Sequence, residues 1–475
     1  MPVHPLRLAR ATAEAELVSA LAALPDTLGL EREFSPEALA EAEAAAEKTP
    51  LPKTDRTGIP FLTIDPEGST DLDQALALER GAEGLVVHYA IADLPAFVTP
   101  GGAIDRTARE RGVTIYAADG RIPLHPVAIS EHAASLLPNE VRGAFVWTFR
   151  LDARGEVVET SLERARVRSR RQLSYEQADA ELAAGAGESI ETLRLLLELG
   201  ELRLALEAER GGASLSTPEI LVAHDGERYT LERRALHAIE RANAQLSLMT
   251  GMAAAQIMLD GGVGILRTMP PADEESVEHF RRQTRALGRP WLAERAYGDY
   301  LRELDGEQPR DLAILHAASA LFRGASYTAF DGTEPEESIQ AAIAAPYTHV
   351  TAPLRRLVDR FSLLVCEALV RGERPPAWVL EALPELSGIM GRAASAAGRL
   401  DRLTLDLVEA AVLTPRVGEE FDAVVVRANG SGARIQLADP DVEAEFAGDV
   451  EPGESLRVRL TRADVATGTL EFTRA

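Results

Sequence analysis

TIDPEGSTDLDQAL, residues 63–76, crowds Asp65, Glu67, Asp71 and Asp73 at the end of an apolar, strand-like run. Like charges this close repel one another, and burying an unpaired carboxylate is costly. Either water solvates the cluster or a cation occupies it. Asp65 closes the apolar run, Gly68-Ser69 lets the chain turn, and Asp71 and Asp73 share one face of an extended segment. Hard oxygen ligands converging in this way suit Mg²⁺ or Mn²⁺. Two such ions about 4 Å apart could hold the attacking and leaving oxygens of a phosphodiester. An isolated D-x-D is also compatible with an acidic surface turn, with the metal site of a nucleotide-sugar glycosyltransferase, or with a D-x-D-x-T/V phosphatase. Ala75 at the fifth position, and the lack of a βαβ series downstream, weaken the last two.

A second cluster is PYTHVTAPLRRLVDR, residues 346–360. Thr351 and Pro353 predict a helix start, which would put Arg355 and Arg356 in its first turns. Helix N-termini and paired arginines both attract phosphate. A solvated arginine face is the plain alternative.

Around these clusters the chain divides by pattern. Residues 1–56 are Ala- and Glu-rich with helical spacing, and Ser35-Pro36-Glu37 reads as an N-cap, a first-position proline and a first-turn acid. This segment is a helical module, either a helix-turn-helix or a plain prop. Residues 57–412 carry β-rich runs first, such as GLVVHYAIA (84–92) and AFVWTFRL (144–151). Long helical patterns follow, so the body reads as α+β. From 413 to 475 short strands and turn signals alternate, as in a small OB-fold β-barrel.

Composition narrows the function classes. At 475 residues with 46% hydrophobic content the chain builds a substantial core. No apolar run approaches the roughly 18 residues of a membrane span. The N-terminus lacks a secretory pattern, and the single cysteine, Cys366, excludes an intrachain disulfide framework. A cytoplasmic, monomeric protein is expected. The net charge of −25 argues against nucleic acid only at first sight, because phosphate binding depends on where the positive charge lies.

The two clusters together resemble a known family. TIDPEGSTDLDQAL is similar to the T-I-D-x5-D-x-D-D-A segment of the ribonuclease II/R family, and YTHVTAPLRRLVDR to its Y-x-H-F-T-S-P-I-R-R-Y-x-D segment. The stretch from VVHYAIAD onward follows the family between them, and the likeness covers roughly residues 57–410. It implies a ribonuclease II-type catalytic domain. The implied reaction is divalent-metal-dependent 3′→5′ hydrolysis of single-stranded RNA, or of RNA with a 3′ overhang, to nucleoside 5′-monophosphates. By this resemblance Asp65, Asp71 and Asp73 match three of four active-site aspartates, with Mg²⁺ or Mn²⁺ as cofactor. Asp73 is the most critical for chemistry, and Arg355 holds the scissile phosphate. Tyr116 stacks on the terminal base and Tyr175 lies near the ribose. Thr351 and Arg356 fall in the RNA-contacting segment.

The sequence also departs from that pattern. Gln74 stands at the fourth aspartate; its amide oxygen can ligate a cation but brings no charge. Gln245 and Gly251 occupy places where the family has a ribose-side glutamate and an asparagine, and Leu215 replaces a stacking aromatic. These losses leave two other readings open: a weakly catalytic RNA-binding relative, and a metal-dependent phosphatase or phosphodiesterase on small nucleotides. About 55 N-terminal residues cannot hold the tandem cold-shock barrels common in the family, so either a compact helical module serves instead or the RNA entrance is more open.

Overall fold

The computed structural model describes residues 11–475 except 119, 214–218, 225–228, 235, 307, 430–431 and 440–441, so the expectation for Leu215 lies outside the described residues. After two N-terminal helices the body carries eight strands ahead of its long helices: β1 (Thr54–Asp55), β2 (Phe61–Ile64), β3 (Gln74–Arg80), β4 (Leu85–Ala92), the short hairpin β5 (Ile115–Ala117) and β6 (Gly120–Ile122), β7 (Val141–Leu151) and β8 (Val157–Leu173). Strands β2, β3, β4 and β7 run antiparallel side by side. The long β8 then serves two neighbours. It pairs antiparallel with β7 from Leu151↔Val157 to Val141↔Arg168, and parallel with β2 from Phe61↔Ser169 to Ile64↔Leu173. The pairings therefore close on themselves, which removes exposed edges from this part of the fold.

Both faces of these strands are buried, and the pleat separates large from small side chains. Leu76, Leu78, Tyr89, Phe145, Trp147 and Phe149 join the main core. Their neighbours Ala75, Ala77, Ala90, Ala92, Ala144 and Val146 form a second cluster of small residues. The large face packs on helices α5 (Ile190–Arg210), α6 (Ala238–Gly261), α10 (Leu357–Val370) and α11 (Ala377–Leu413). The α+β body of the sequence reading is what the structure shows.

The N-terminal segment forms α1 (Ala11–Thr27) and α2 (Pro36–Lys48). Ser35 caps α2 as expected, accepting from the Ala38 amide at 3.1 Å. The two helices are backed by different parts of the body. Leu17 and Leu21 of α1 pack on Leu407, Val408, Ala411 and Val412 of α11, whereas Ala42 of α2 joins the alanine cluster. A helix-turn-helix module would bury α1 against α2 in a core of their own. Among the described residues α1 and α2 do not share a hydrophobic cluster.

Past α11, five antiparallel strands form the C-terminal barrel in the order Glu443–Phe446, Gly432–Leu437, Glu420–Asn429, Ser455–Asp464, Thr469–Arg474. Phe421, Val425, Ile435, Val458 and Phe472 fill it, and Leu413 at the end of α11 is part of that core. Among the described residues no helix is long and apolar enough to cross a membrane.

A buried ion pair ties helix α3 (Ala103–Arg111) to α10. Asp105 accepts from Arg360 and from the Gly101 amide, while Arg360 also donates to the Val98 carbonyl. Both side chains are essentially inaccessible. Removing one partner leaves the other charge stranded, so Asp105→Ala should cost about 3–5 kcal/mol, read as a lower urea midpoint at unchanged m-value.

Candidate active site

The acidic stretch is a turn held at fixed points. Leu72 is fully buried, its amide donates to Ser135 Oγ at 3.0 Å, and its carbonyl accepts from Leu136. The Asp73 carbonyl accepts from Ala92 of β4, and the Asp65 amide donates to Leu173 at the end of β8. Gly68 turns the chain with φ of 80°, a conformation that disfavours a β-carbon.

Each carboxylate has a distinct environment. Asp73 is buried; its Oδ1 accepts from the Leu354 amide at 2.7 Å, and its Oδ2 lies 3.6 Å from Arg355 Nε. Burial pushes its carboxyl well above the ordinary range, against the opposing pull of Arg355 and the Leu354 amide. Asp65 has one carboxylate oxygen, Oδ2, buried without a hydrogen-bond partner. Burial, reinforced by the charge on Asp71, pushes it up to about 7. Asp71 is engaged on both oxygens, by Arg121 Nη1 at 2.8 Å and by the Tyr116 hydroxyl at 3.2 Å.

The arginine segment departs from the sequence expectation. Helix α10 begins at Leu357 with Arg356 as its N-cap, so Thr351–Arg355 lie in a preceding turn rather than in first helical turns. The cause is Asp359, whose carboxylate accepts from the Ala352 amide at 2.7 Å and binds Arg356 through two nitrogens, at 2.8 and 2.9 Å. Arg356 is thereby turned inward, and Thr351 is buried with its carbonyl accepting from Gln74. Arg355 remains 43% exposed beside Asp73. Its charge acts on Asp65, Asp73, Tyr116 and Tyr175 alike.

The remaining candidates divide. Tyr116 is 52% exposed over Asp71. The Tyr175 ring stacks on His237 at 6.1 Å and senses the charge of Asp65. Gln245 is buried and donates to Glu207, which places it inside the protein rather than on an open ribose surface. Gln74 is locked: its Nε2 donates to the Thr351 carbonyl at 2.7 Å and its Oε1 accepts from the Tyr89 hydroxyl. Among the described residues no three His, Cys, Asp or Glu side chains already converge as a metal-holding group. The donors nevertheless fit a hard cation. Asp65, Asp71 and Asp73 offer oxygens only, and the orphaned Asp65 Oδ2 is a buried acceptor in need of a partner.

Sequence reasoning missed Arg121, Tyr89, Ser135 and Asp359. Arg121 was findable, because it sits in the same short segment as Tyr116, TIYAADGRIP. Tyr89 and Ser135 act through partners distant in sequence, whereas Asp359 acts on Ala352 and Arg356 within its own segment.

Known proteins share this arrangement of chain. The RNB domain matches residues 53–371, and the RNase II-type exonuclease C-terminal S1 domain matches residues 419–475. Exosome complex exonuclease RRP44 homolog A of Arabidopsis thaliana is 29% identical over 396 residues, covering 78% of this chain and 41% of the relative. Ribonuclease R of Aquifex aeolicus is 26% identical over 398 residues, covering 80% of this chain and 56% of the relative. The chain thus spans roughly half or less of such relatives' own length. Among solved structures, the apo form of Mycoplasma genitalium RNase R superposes with a TM-score of 0.86 at 18% identity, covering 97% of this chain and 78% of that one. Yeast Ssd1, described as a pseudonuclease, gives 0.68 at 18% identity, covering 93% and 54%. These two likenesses speak to fold alone.

The locked Gln74 yields a prediction. An aspartate there has no N–H for the Thr351 carbonyl and sets a carboxylate against it. Gln74→Asp should therefore destabilise the fold by about 1–3 kcal/mol, seen as a lower melting midpoint. An unchanged or higher midpoint would mean that the carboxylate finds a cation or another donor.

Proposed function

The chain belongs to the RNB-domain family, and from that premise we propose that it is a divalent-metal-dependent 3′→5′ exoribonuclease acting on single-stranded RNA or on 3′ overhangs. The observation that carries this reading is the meeting of Asp73 and Arg355 across the chain, with Asp65, Asp71 and Tyr116 beside them. Asp65, Asp71 and Asp73 would hold Mg²⁺ or Mn²⁺, which when bound activates water and neutralises phosphoryl charge. Arg355, half exposed, clamps the scissile phosphate and offsets charge developing on its oxygens. Tyr116 offers a π-face to the terminal base, a contact available to every base and so suited to sequence-tolerant degradation. Tyr175, braced on His237, borders the ribose. The products are nucleoside 5′-monophosphates, released in a reducing, cytoplasmic compartment consistent with the one buried cysteine, Cys366.

We assign RNA contact to the C-terminal barrel, residues 413–475, on a second observation. A cleft of about 500 Å³ between the barrel and helices α7 (Glu274–Ala286) and α9 (Pro309–Ala318) is lined by Arg282, Arg323, Arg427 and Arg434, together with Asp273, Glu275 and Glu443. Arg434 is paired with Glu443, whereas Arg282, Arg323 and Arg427 have no ion-pair partner among the described residues.

The locked Gln74 favours one rival, an RNA-binding relative without catalysis. The deciding assay follows 5′-labelled single-stranded RNA with Mg²⁺ or Mn²⁺. A shortening ladder with mononucleotide release supports the enzyme, and a gel shift without cleavage supports the rival. Asp73→Asn should lower turnover by at least about 10³-fold while RNA affinity stays within a few fold. Arg282→Ala and Arg427→Ala should each flatten the slope of log affinity against log salt by about 0.7 for every phosphate they leave unneutralised.

A further inference from the structure

The hairpin formed by β5 and β6 is a plate with two different faces. Tyr116 and Arg121 are direct cross-strand partners, so they share one face, and both reach Asp71. Ile115 and Ile122 are the adjacent pair, on the opposite face, and both are buried. A two-stranded hairpin is marginal on its own in water, so its position depends on what covers its apolar face. Here that cover comes from two sources. Leu400, Ala396 and Ala397 of α11 form one side, and Leu24, Leu28 and Leu30 at the end of α1 and in the chain beyond it form the other.

A second device fixes the same segment to the hairpin's exit. Arg111, the last residue of α3, donates to the Pro123 carbonyl just past β6, at 2.5 Å. Its other terminal nitrogen donates to the Glu33 carbonyl at 2.7 Å and the Arg32 carbonyl at 3.3 Å. The guanidinium also lies over the Phe34 ring, 4.0 Å from its centroid. One side chain thus staples residues 32–34 to the base of the hairpin, as a planar fork can and an ammonium cannot.

We propose that the segment Leu24–Phe34 is a positioning element of the active site. By backing Ile115 and Ile122, and through the Arg111 staple, it sets where the Tyr116 ring stands over Asp71. This rests on the exoribonuclease reading, with Tyr116 as the base-stacking platform. The N-terminal module then acts on the grip of the RNA 3′ end through the hairpin.

The test is a double-mutant cycle between this segment and Tyr116. The pair Leu28→Ala with Leu30→Ala leaves the Leu17 and Leu21 anchor of α1 in place. In the otherwise wild-type protein it should lower kcat/KM on single-stranded RNA by about tenfold, the scale of one missing base–aromatic stack. It should also reduce the quench of 2-aminopurine placed at the RNA 3′ terminus and bound without added metal. In a Tyr116→Ala background the same pair should change kcat/KM by less than about threefold. Arg111→Ala should behave likewise, with Arg111→Lys failing to rescue it. An equal loss in both backgrounds, or an unchanged quench, overturns the proposal and leaves the segment a stabiliser only. If the wild-type protein neither binds nor cleaves RNA, the functional reading fails. Hydrogen exchange then decides the positioning role: loss of protection confined to residues 113–123 in the leucine variant supports it, and uniform or absent loss overturns it.

Discussion

The hydrogen bond from the Leu354 amide to the Asp73 carboxylate joins two turns that lie 281 residues apart, and the site depends on it. A carboxylate at this depth is expensive to keep charged unless donors surround it. Leu354 supplies a backbone donor and Arg355 a nearby positive charge, so the acidic turn requires the arginine turn. Next to it, Gln74 donates to the Thr351 carbonyl, a second rung between the same segments. The arginine turn is fixed from behind by Asp359, and from the side by the Thr114 amide donating to the Arg355 carbonyl. Arg355 is thus aimed by backbone contacts on either side of it, while its own guanidinium stays half exposed.

The alternation of large and small residues explains why these turns can meet. Small side chains at Ala75, Ala77, Ala90 and Ala92 let the segments over that face approach the strands closely. Leu72 and Leu354 belong to the same small-residue cluster, so both turns are seated on one surface. The large face does the opposite work, anchoring the strands in the helical core through Trp147, Phe145 and Phe149. A bulky residue on the alanine face would separate the aspartates from the arginine without touching either.

Much of this was legible in the sequence, and what was not has a common cause. The α+β order, the capped second helix and the terminal strands follow from local periodicity and turn chemistry, which neighbours in sequence determine. Sequence adjacency also suffices to put Asp65, Asp71 and Asp73 on one turn. The start of α10 was misplaced because Thr351 and Pro353 resemble a helix start, while the group that takes the Ala352 amide is Asp359, seven residues on. Gln245 looked available because its partner, Glu207, is recognisable only once packing brings the two face to face, whereas Arg356 is taken by Asp359 three residues on, a local pair that the arginine-rich reading passed over. The closure through β8 was hidden for a related reason. Nothing local in its charged run, Glu163 to Arg171, signals that its two ends serve different partners.

The strongly acidic composition now has a physical meaning compatible with a polyanionic ligand. Four arginines of the barrel's last two strands are already neutralised: Arg457 and Arg459 by Glu420, Arg462 by Asp464 and Glu471, Arg474 by Glu454. Exposed pairs of this kind add little stability, but they remove those cations from competition for phosphate. An incoming phosphate would have to displace a carboxylate at each of them. Arg282, Arg323 and Arg427 in the cleft have no such ion-pair partner among the described residues, although Asp273, Glu275 and Glu443 line the same cleft. On the proposed reading, the net negative charge of the chain would repel an RNA backbone elsewhere and disfavour nonproductive contact. On the proposed reading, unpaired arginines in that cleft, set against a net negative chain, would make binding at those points sensitive to salt.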